Sequence, residues 1–269
     1  MCKIARSKDW ATRIIHEMAY QPESVFITLT YDDRHLPKDL SIRKSELQKF
    51  LKRFRKKYPK RIIRYYGCGE YGEIYGRPHY HLIMFNVRTE DFTPIDKIHN
   101  NKSGNWETVY THSAWKNGII HIGNVTYNSA RYVADYVNKT YYGEKKKEIY
   151  GEKEQPFQLM SKGLGKQWAL DNKEYLFQKL GCTINGREVG LNKYYRNILE
   201  IPGEFVFEES KRRNPEDTEE DKKLNAINSM LKINGIPEHL WDTLEPIYKM
   251  RELNFKKSLQ ARRKKDYDL

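Results

Sequence analysis

The sequence is poor in cysteine and has no long apolar run. Its 269 residues contain only Cys2, Cys68 and Cys182, and three scattered thiols predict neither a disulfide framework nor a Cys-rich zinc site. No apolar stretch approaches the roughly 20 residues that a membrane-spanning helix needs. The first residues also lack the apolar centre and small-residue cleavage site of a signal peptide. These absences predict a cytoplasmic protein with no membrane partner.

Basic residues outnumber acidic ones. The chain carries 49 Lys and Arg against 36 Asp and Glu, a formal net charge of +13. An excess of this size favours a polyanionic partner, and nucleic acid is the first candidate. The length is enough for one main domain with a minor appendage.

Three segments at the start of the chain predict a helix, a strand and a helix. Residues 7–20 place apolar side chains four positions apart, as in a helix that buries one stripe. Residues 25–31 are β-branched and aromatic, which predicts a buried central strand. Residues 45–58 carry a second apolar stripe opposite a basic face. That stripe consists of Leu47, Phe50, Leu51, Phe54 and Tyr58.

Residues 61–86 predict a strand, a Gly-rich turn and a second strand that carries two histidines. Side chains alternate along a strand, so His79 and His81 lie on one face, close enough to bind one cation. Glu70 can join them across the hairpin, but a one-residue slip in register would turn it to the other face. Glu73, nearer the turn, is the alternative third ligand. A His-x-His pair alone is more often packed than ligating.

The segment near residue 130 predicts a helix with two tyrosines on one face. Asn128 or Ser129 is a plausible N-cap, and Tyr132 and Tyr136 are separated by one helical turn. The chain has 20 tyrosines, so this spacing also arises by chance. Lys139, in the same segment, is explained equally well as half of a surface ion pair.

The remaining segments predict less. Residues 91–115 are polar and suggest an insertion, and residues 118–122 suggest a strand. Beyond a main domain over residues 1–202, an acidic linker (203–222) and a small helical appendage (223–269) are predicted. Three further histidines are not expected to be ligands: His99, His112 and His121.

Together and in this order, the motifs resemble the HUH endonucleases, which carry a His-hydrophobic-His metal motif followed by a nucleophilic tyrosine. His79-Tyr80-His81 matches the first motif, and Tyr136-Val137-Asn138-Lys139 matches the tyrosine motif. Tyr132 supplies the second tyrosine of initiators that use a pair. Segments 26–33 and 69–81 are similar to the replication initiators of gokushovirus-type microviruses, and the resemblance extends over roughly residues 2–200.

The resemblance implies an α+β fold, with helices packed on an antiparallel sheet in a split β-α-β arrangement. It implies a metal site made by His79, His81 and Glu70 that binds Mn²⁺ or Mg²⁺. Tyr132 and Tyr136 would nick single-stranded DNA at the replication origin, with electrostatic assistance from Lys139. The expected partners are the origin DNA and the host replication helicase and polymerase, in the cytoplasm of a host bacterium.

Three alternatives stay open on the sequence. A plasmid relaxase or a transposase would carry the same motifs. A non-catalytic, basic nucleic-acid-binding protein would merely pack its histidines. A metallohydrolase with water as its nucleophile would form no covalent protein–DNA adduct.

Overall fold

A seven-stranded antiparallel sheet organises the part of the chain that the computed structural model describes, residues 3–72, 76–100, 104–136 and 144–201. The first half contains α1 (Lys3–Met18), β1 (Ser24–Tyr31), α2 (Lys44–Lys57), β2 (Arg64–Tyr71), β3 (Pro78–Phe85), β4 (Thr93–Asn100), β5 (Asn105–His112) and β6 (Trp115–Asn124). The second half contains α3 (Tyr127–Asp135), α4 (Glu144–Tyr150), β7 (Phe157–Met160), α5 (Lys166–Asp171), α6 (Lys173–Lys179), β8 (Gly181–Ile184), β9 (Arg187–Gly190) and α7 (Lys193–Leu199).

The connections within the sheet form a split β-α-β unit. The strand order is β4-β5-β6-β1-β3-β2-β7, and both β1 and β2 pair antiparallel with β3. β1 and β2 therefore run in the same direction with β3 between them, and α2 connects them. The predicted α+β fold is confirmed, and the strand predicted to be central lies in the middle of the sheet.

Helices cover both faces of the sheet because the strands alternate apolar side chains on their two sides. The α2 face buries Leu47, Phe50 and Phe54 against Ile27, Leu29, Tyr80, Leu82 and Met84. The other face buries Ile83 and Phe85 against α1 and α3, through Ala11, Ile14, Ala130 and Val133. Each fully buried large apolar side chain contributes about 1.5–3 kcal/mol. A strand apolar on both sides, such as β3, is stable only in this interior position.

The segment from α5 to α7 packs on α1 through aromatic rings. The ring of His16 stacks on Trp168 at a centroid distance of 3.4 Å, and its Nδ1 lies 2.8 Å from the hydroxyl of Tyr195. The guanidinium of Arg13 lies over Tyr194, 3.6 Å from the ring centre. These contacts bury the C-terminal end of α1. The predicted linker (203–222) and appendage (223–269) lie outside the described residues.

The interpretation of residues 91–115 as an insertion was wrong. β4 and β5 extend the main sheet, and Phe92 and Trp115 are 3% and 1% exposed within the core on the α2 side. These outer strands are polar because most of their side chains contact solvent, so their few apolar residues give a weak sequence signal. Among the described residues, no helix is both long and apolar enough to cross a bilayer.

Candidate metal centre and tyrosine pair

The pairing of β2 with β3 brings Glu70 beside the two histidines. Glu70 lies directly opposite His79 in the antiparallel register, so its side chain is on the histidine face. Its Oε1 atom lies 2.9 Å from Nε2 of His79 and 2.9 Å from Nε2 of His81. The register condition posed by the sequence is therefore met. Glu73, the alternative ligand, lies outside the described residues.

Each histidine has a second contact on its other ring nitrogen. Nδ1 of His79 donates to the backbone carbonyl of Arg77 at 3.0 Å, since a carbonyl only accepts. Nδ1 of His81 lies 2.9 Å from the hydroxyl of Thr28. Partners of this kind fix the tautomer and the ring orientation of metal-binding histidines. Both rings consequently present Nε2 to Glu70.

The chemistry of this donor set fits a divalent cation. A neutral ring that donates from Nδ1 has only a lone pair on Nε2, and a lone pair facing a carboxylate oxygen is repulsive. Either both rings are protonated on both nitrogens, or one divalent ion replaces the two Nε2 protons with the same total charge. The donor spacing agrees, since bonds of about 2.1 Å at right angles place neighbouring ligands about 3 Å apart. Glu70, His79 and His81 are the group identified as able to hold a metal ion within the described residues.

The carboxylate of Glu70 is ionised in this environment. Burial alone would raise its pKa, but the hydrogen bonds and charges of His79 and His81 outweigh burial and lower the pKa below its usual value. A buried anion needs a compensating positive charge. The two histidines, or the cation they would hold with Glu70, provide it.

The two tyrosines lie at the C-terminal end of α3. The N-cap of this helix is Thr126, whose hydroxyl accepts a hydrogen bond from the amide of Ser129 at 3.1 Å. The predicted cap at Asn128 or Ser129 was therefore too late, because Ser129 is the N3 partner of the cap. Tyr136 is the C-cap and keeps helical backbone angles. One turn thus separates the tyrosines as predicted, and their ring centres are 5.0 Å apart.

Both tyrosine rings contact His81, but their exposure differs. The ring of Tyr136 stacks parallel to His81 at 5.4 Å, and that of Tyr132 meets it edge-on at 5.2 Å. Tyr132 is 48% exposed, whereas Tyr136 is 5% exposed. Burial, the charge of Glu70 and the interaction with Tyr132 raise the pKa of Tyr136 far above its ordinary value. Lys139 lies outside the described residues.

Three neighbours of the site were missed by sequence reasoning. Thr28 contacts His81 as described, and Phe26 on the same strand stacks on that ring at 5.8 Å. Arg77 donates to the carbonyl of Tyr31 at 3.0 Å and pairs with Asp33 at 2.8 Å. The alternation of β1 separates Phe26 and Thr28 from the core-facing residues. Their contact with His81 becomes visible only once β1 is known to pair with β3.

Comparison with known proteins gives matches over the same elements. Residues 24–141, from β1 through both tyrosines, match the family model of the phage replication-associated protein ORF2. Through this segment, the chain belongs to the replication-associated protein ORF2 family. The family segment contains the three candidate ligands and the tyrosine pair. The resemblance to gokushovirus-type replication initiators is thereby confirmed.

Individual members of the ORF2 family extend the similarity. The chain is 31% identical over 211 residues to replication-associated protein VP4 of Bdellovibrio phage phiMH2K, which covers 73% of this chain and 64% of the relative. It is 31% identical over 194 residues to replication-associated protein ORF2 of Spiroplasma virus 4, with coverages of 68% and 59%. Replication-associated protein ORF4 of Chlamydia phage 1 is 25% identical over 210 residues, with coverages of 74% and 51%.

The matches to these phage relatives are partial. The chain spans between about half and two thirds of the length of the three proteins. No solved structure matches the chain.

Proposed function

We propose that this protein initiates rolling-circle replication of a phage genome by nicking single-stranded DNA at the origin with a tyrosine nucleophile. The observation that carries the proposal is the convergence of Glu70, His79 and His81 beside Tyr132 and Tyr136. This arrangement lies within the segment matched by the ORF2 family. The relatives' description as phage replication-associated proteins supports the same role.

Glu70, His79 and His81 would hold Mn²⁺ or Mg²⁺. A bound cation would stabilise the charge that develops on the scissile phosphate. Three protein donors leave coordination positions for substrate, and two nitrogen donors favour Mn²⁺ over the harder Mg²⁺. Thr28 and the Arg77 carbonyl would keep both imidazoles oriented toward the shared position.

The covalent step exchanges one phosphodiester for another. The phenol oxygen of a tyrosine attacks the phosphorus and forms the new O–P bond, while the bond from phosphorus to the 3′ oxygen breaks. The phenol proton is lost, and the released 3′ oxygen gains a proton from solvent. The products are a 5′-phosphotyrosine linkage and a free 3′-hydroxyl that primes synthesis. Lys139 would assist the departure of the phenol proton electrostatically.

A pair of tyrosines would allow repeated rounds. After one tyrosine is linked to DNA, the other cuts the regenerated origin, and the new 3′-hydroxyl displaces the first tyrosine to close a circle. Both phenols lie on one helix end and contact the same histidine, so they reach one phosphate position. The origin DNA, the host helicase and the host polymerase would be the partners, in the host bacterial cytoplasm.

Covalent capture of DNA tests this function. Single-stranded oligonucleotides that tile the genome encoding the chain, labelled at the 3′ end, would be incubated with the full chain and Mn²⁺. We expect a labelled adduct that survives denaturing electrophoresis, whereas 5′-labelled DNA should yield only a shortened free strand. A strand cut without any adduct would show a hydrolase that uses water instead.

Matched histidine variants test the metal assignment. His81→Ala should abolish the adduct. His121→Ala is the control, since His121 lies beside Thr28 on the same face but outside the ligand group. An undiminished adduct with His81→Ala would exclude the metal assignment and leave the tyrosine chemistry standing. DNA binding with neither cleavage nor adduct would favour a non-catalytic binding protein.

A further inference from the structure

The plane of the His81 ring is fixed by stacking. Phe26 and Tyr136 each lie within 7° of parallel to the imidazole, at centroid distances of 5.8 and 5.4 Å. Tyr132 adds an edge contact at 5.2 Å. These contacts resist tilting of the ring out of its plane. They do not distinguish between the two orientations that share this plane.

A half-turn about the Cβ–Cγ bond of His81 preserves the stacking but rearranges the ring atoms. The turn exchanges the positions of Nδ1 and Cδ2 and those of Nε2 and Cε1. In the flipped orientation a carbon would face Glu70, and the site would lose one of its three donors. The contact that favours the observed orientation is therefore a polar one, made on Nδ1.

We propose that Thr28 is the residue that positions His81, a role that rests on the cation site proposed above. Its hydroxyl lies 2.9 Å from Nδ1 and accepts the Nδ1 proton. This contact selects both the ring orientation and the tautomer in which Nε2 carries a lone pair directed at Glu70. Thr28 and His81 are direct partners in the antiparallel register of β1 and β3, so the pairing of the strands places the hydroxyl.

The two histidines differ in how they are oriented. His79 donates to a backbone carbonyl, that of Arg77, which no side-chain substitution removes. His81 depends on a side chain from another strand, 53 positions away in the sequence. Replacement of Thr28 is therefore a selective way to loosen one ligand while the three ligand residues stay intact.

Three variants of the full chain isolate this hydroxyl. Thr28→Val removes it at nearly constant shape, and Thr28→Ser retains it. Thr30→Val is the matched control, because Thr30 is the partner of His79 on the same strand face, and its described hydrogen bond uses the backbone carbonyl, which accepts from the Trp115 indole at 3.3 Å. Unfolding curves of all three should agree, which would exclude loss of the fold.

Calorimetric titration with Mn²⁺ gives the first readout. We expect Thr28→Val to weaken Mn²⁺ binding about 10- to 100-fold, the usual effect of losing a partner of a metal-binding histidine. Thr28→Ser and Thr30→Val should bind within about twofold of the unmodified chain. Equal affinity of Thr28→Val and the unmodified chain would overturn the proposal, while the cation site would stand.

The nitrogen chemical shifts of His81 give a second readout that does not depend on a metal. In ¹⁵N-labelled, metal-free protein, Thr28→Val should change the two ring-nitrogen signals of His81, and Thr30→Val should not. If the unmodified chain binds no Mn²⁺, the cation site is wrong and these shifts alone decide the role of Thr28. Unchanged His81 signals in Thr28→Val would refute the role.

Discussion

Tyr132 and Tyr136 lie one helical turn apart against the same imidazole, yet one is half exposed and the other is buried. Their ring centres are separated by 5.0 Å, and the rings are nearly perpendicular. The exposed phenol is accessible to a strand arriving from solvent. The buried phenol must first be uncovered by movement of its neighbours. The pair is therefore inequivalent before any DNA has bound.

This inequivalence predicts different behaviour of the single tyrosine variants. Tyr132→Phe and Tyr136→Phe should each keep some nicking and lose multi-round circle release, and the double variant should lose cleavage. Because Tyr132 is the accessible phenol, Tyr136→Phe should retain the larger share of adduct in a single turnover. Adduct formation and circle release would be measured on the same DNA.

Tyr127→Phe, at the first residue of the same helix, is the control and should behave as the unmodified chain. If either single variant removes all adduct while the other releases unit-length circles normally, the two tyrosines do not alternate. The remaining tyrosine would then position DNA or pack.

Removal of the cation should abolish strand cleavage. EDTA is expected to eliminate the adduct, and added Mn²⁺ should restore it more effectively than Mg²⁺ because two of the three donors are nitrogen atoms. Glu70→Gln should reduce Mn²⁺ affinity by at least about tenfold, since it removes the anionic donor. Glu107→Gln, a carboxylate on β5 outside the group, serves as the control. Full adduct formation in EDTA would contradict this prediction.

Stability should fall as the pH decreases from about 6.5 to about 4. Burial lowers the pKa of both His16 and His112 to about 4, below the unfolded value of about 6.5. The unfolded chain therefore binds more protons in this window, so the free energy of unfolding rises with pH, by up to about 1.4 kcal/mol per pH unit for each histidine. Above about pH 6.5 the contribution is complete.

Urea unfolding at several pH values would measure this slope. Replacing either histidine by Gln should flatten the curve between pH 6.5 and pH 4, while His35→Gln, at an exposed position, should leave it unchanged. An unaltered slope in both buried variants would show that other groups dominate the acid sensitivity.

A side chain at Gly118 should destabilise the sheet. Its φ of 151° lies in the region that favours glycine, and a Cβ there would overlap the carbonyl oxygen of Thr30 and the amide nitrogen of Asp32. Both are backbone atoms of the neighbouring strand end, so they cannot move away cheaply. We expect Gly118→Ala to cost about 1–3 kcal/mol or more in free energy of unfolding.

Gly190→Ala is the matched comparison for this test. It also lies in a strand segment, but an added Cβ would meet no neighbour there. Its free energy of unfolding should change by less than about 0.5 kcal/mol. Chemical denaturation of both variants checks the difference, and equal stability would contradict the role assigned to Gly118.

The sequence predicted the elements whose signal is periodic. Alternation on β3 predicted the shared face of His79 and His81, and the apolar stripe of α2 predicted its buried side. Glu70 could be predicted only conditionally, because the hairpin register depends on a turn whose conformation the sequence does not fix. The contact of Thr28 with His81 joins residues far apart in the chain and has no periodic signature.

The errors have equally local causes. The outer strands β4 and β5 contain few apolar residues because solvent covers most of their surface, so they were taken for an insertion. The N-cap of α3 was placed too late because Thr126 forms its capping box with Ser129, which lacks the Glu or Gln that usually marks that position. The assignment of Lys139 stays a prediction.

The three candidate ligands all belong to one hairpin, with Glu70 and His81 only 11 positions apart. Hairpins form from local contacts in about 1–10 μs, whereas α3 must close a long loop to bring its phenols to β3. The cation donors can therefore assemble early during folding, and the nucleophiles join them only when the long-range contacts form. A partly folded chain would be able to capture a metal ion while still being unable to cut DNA.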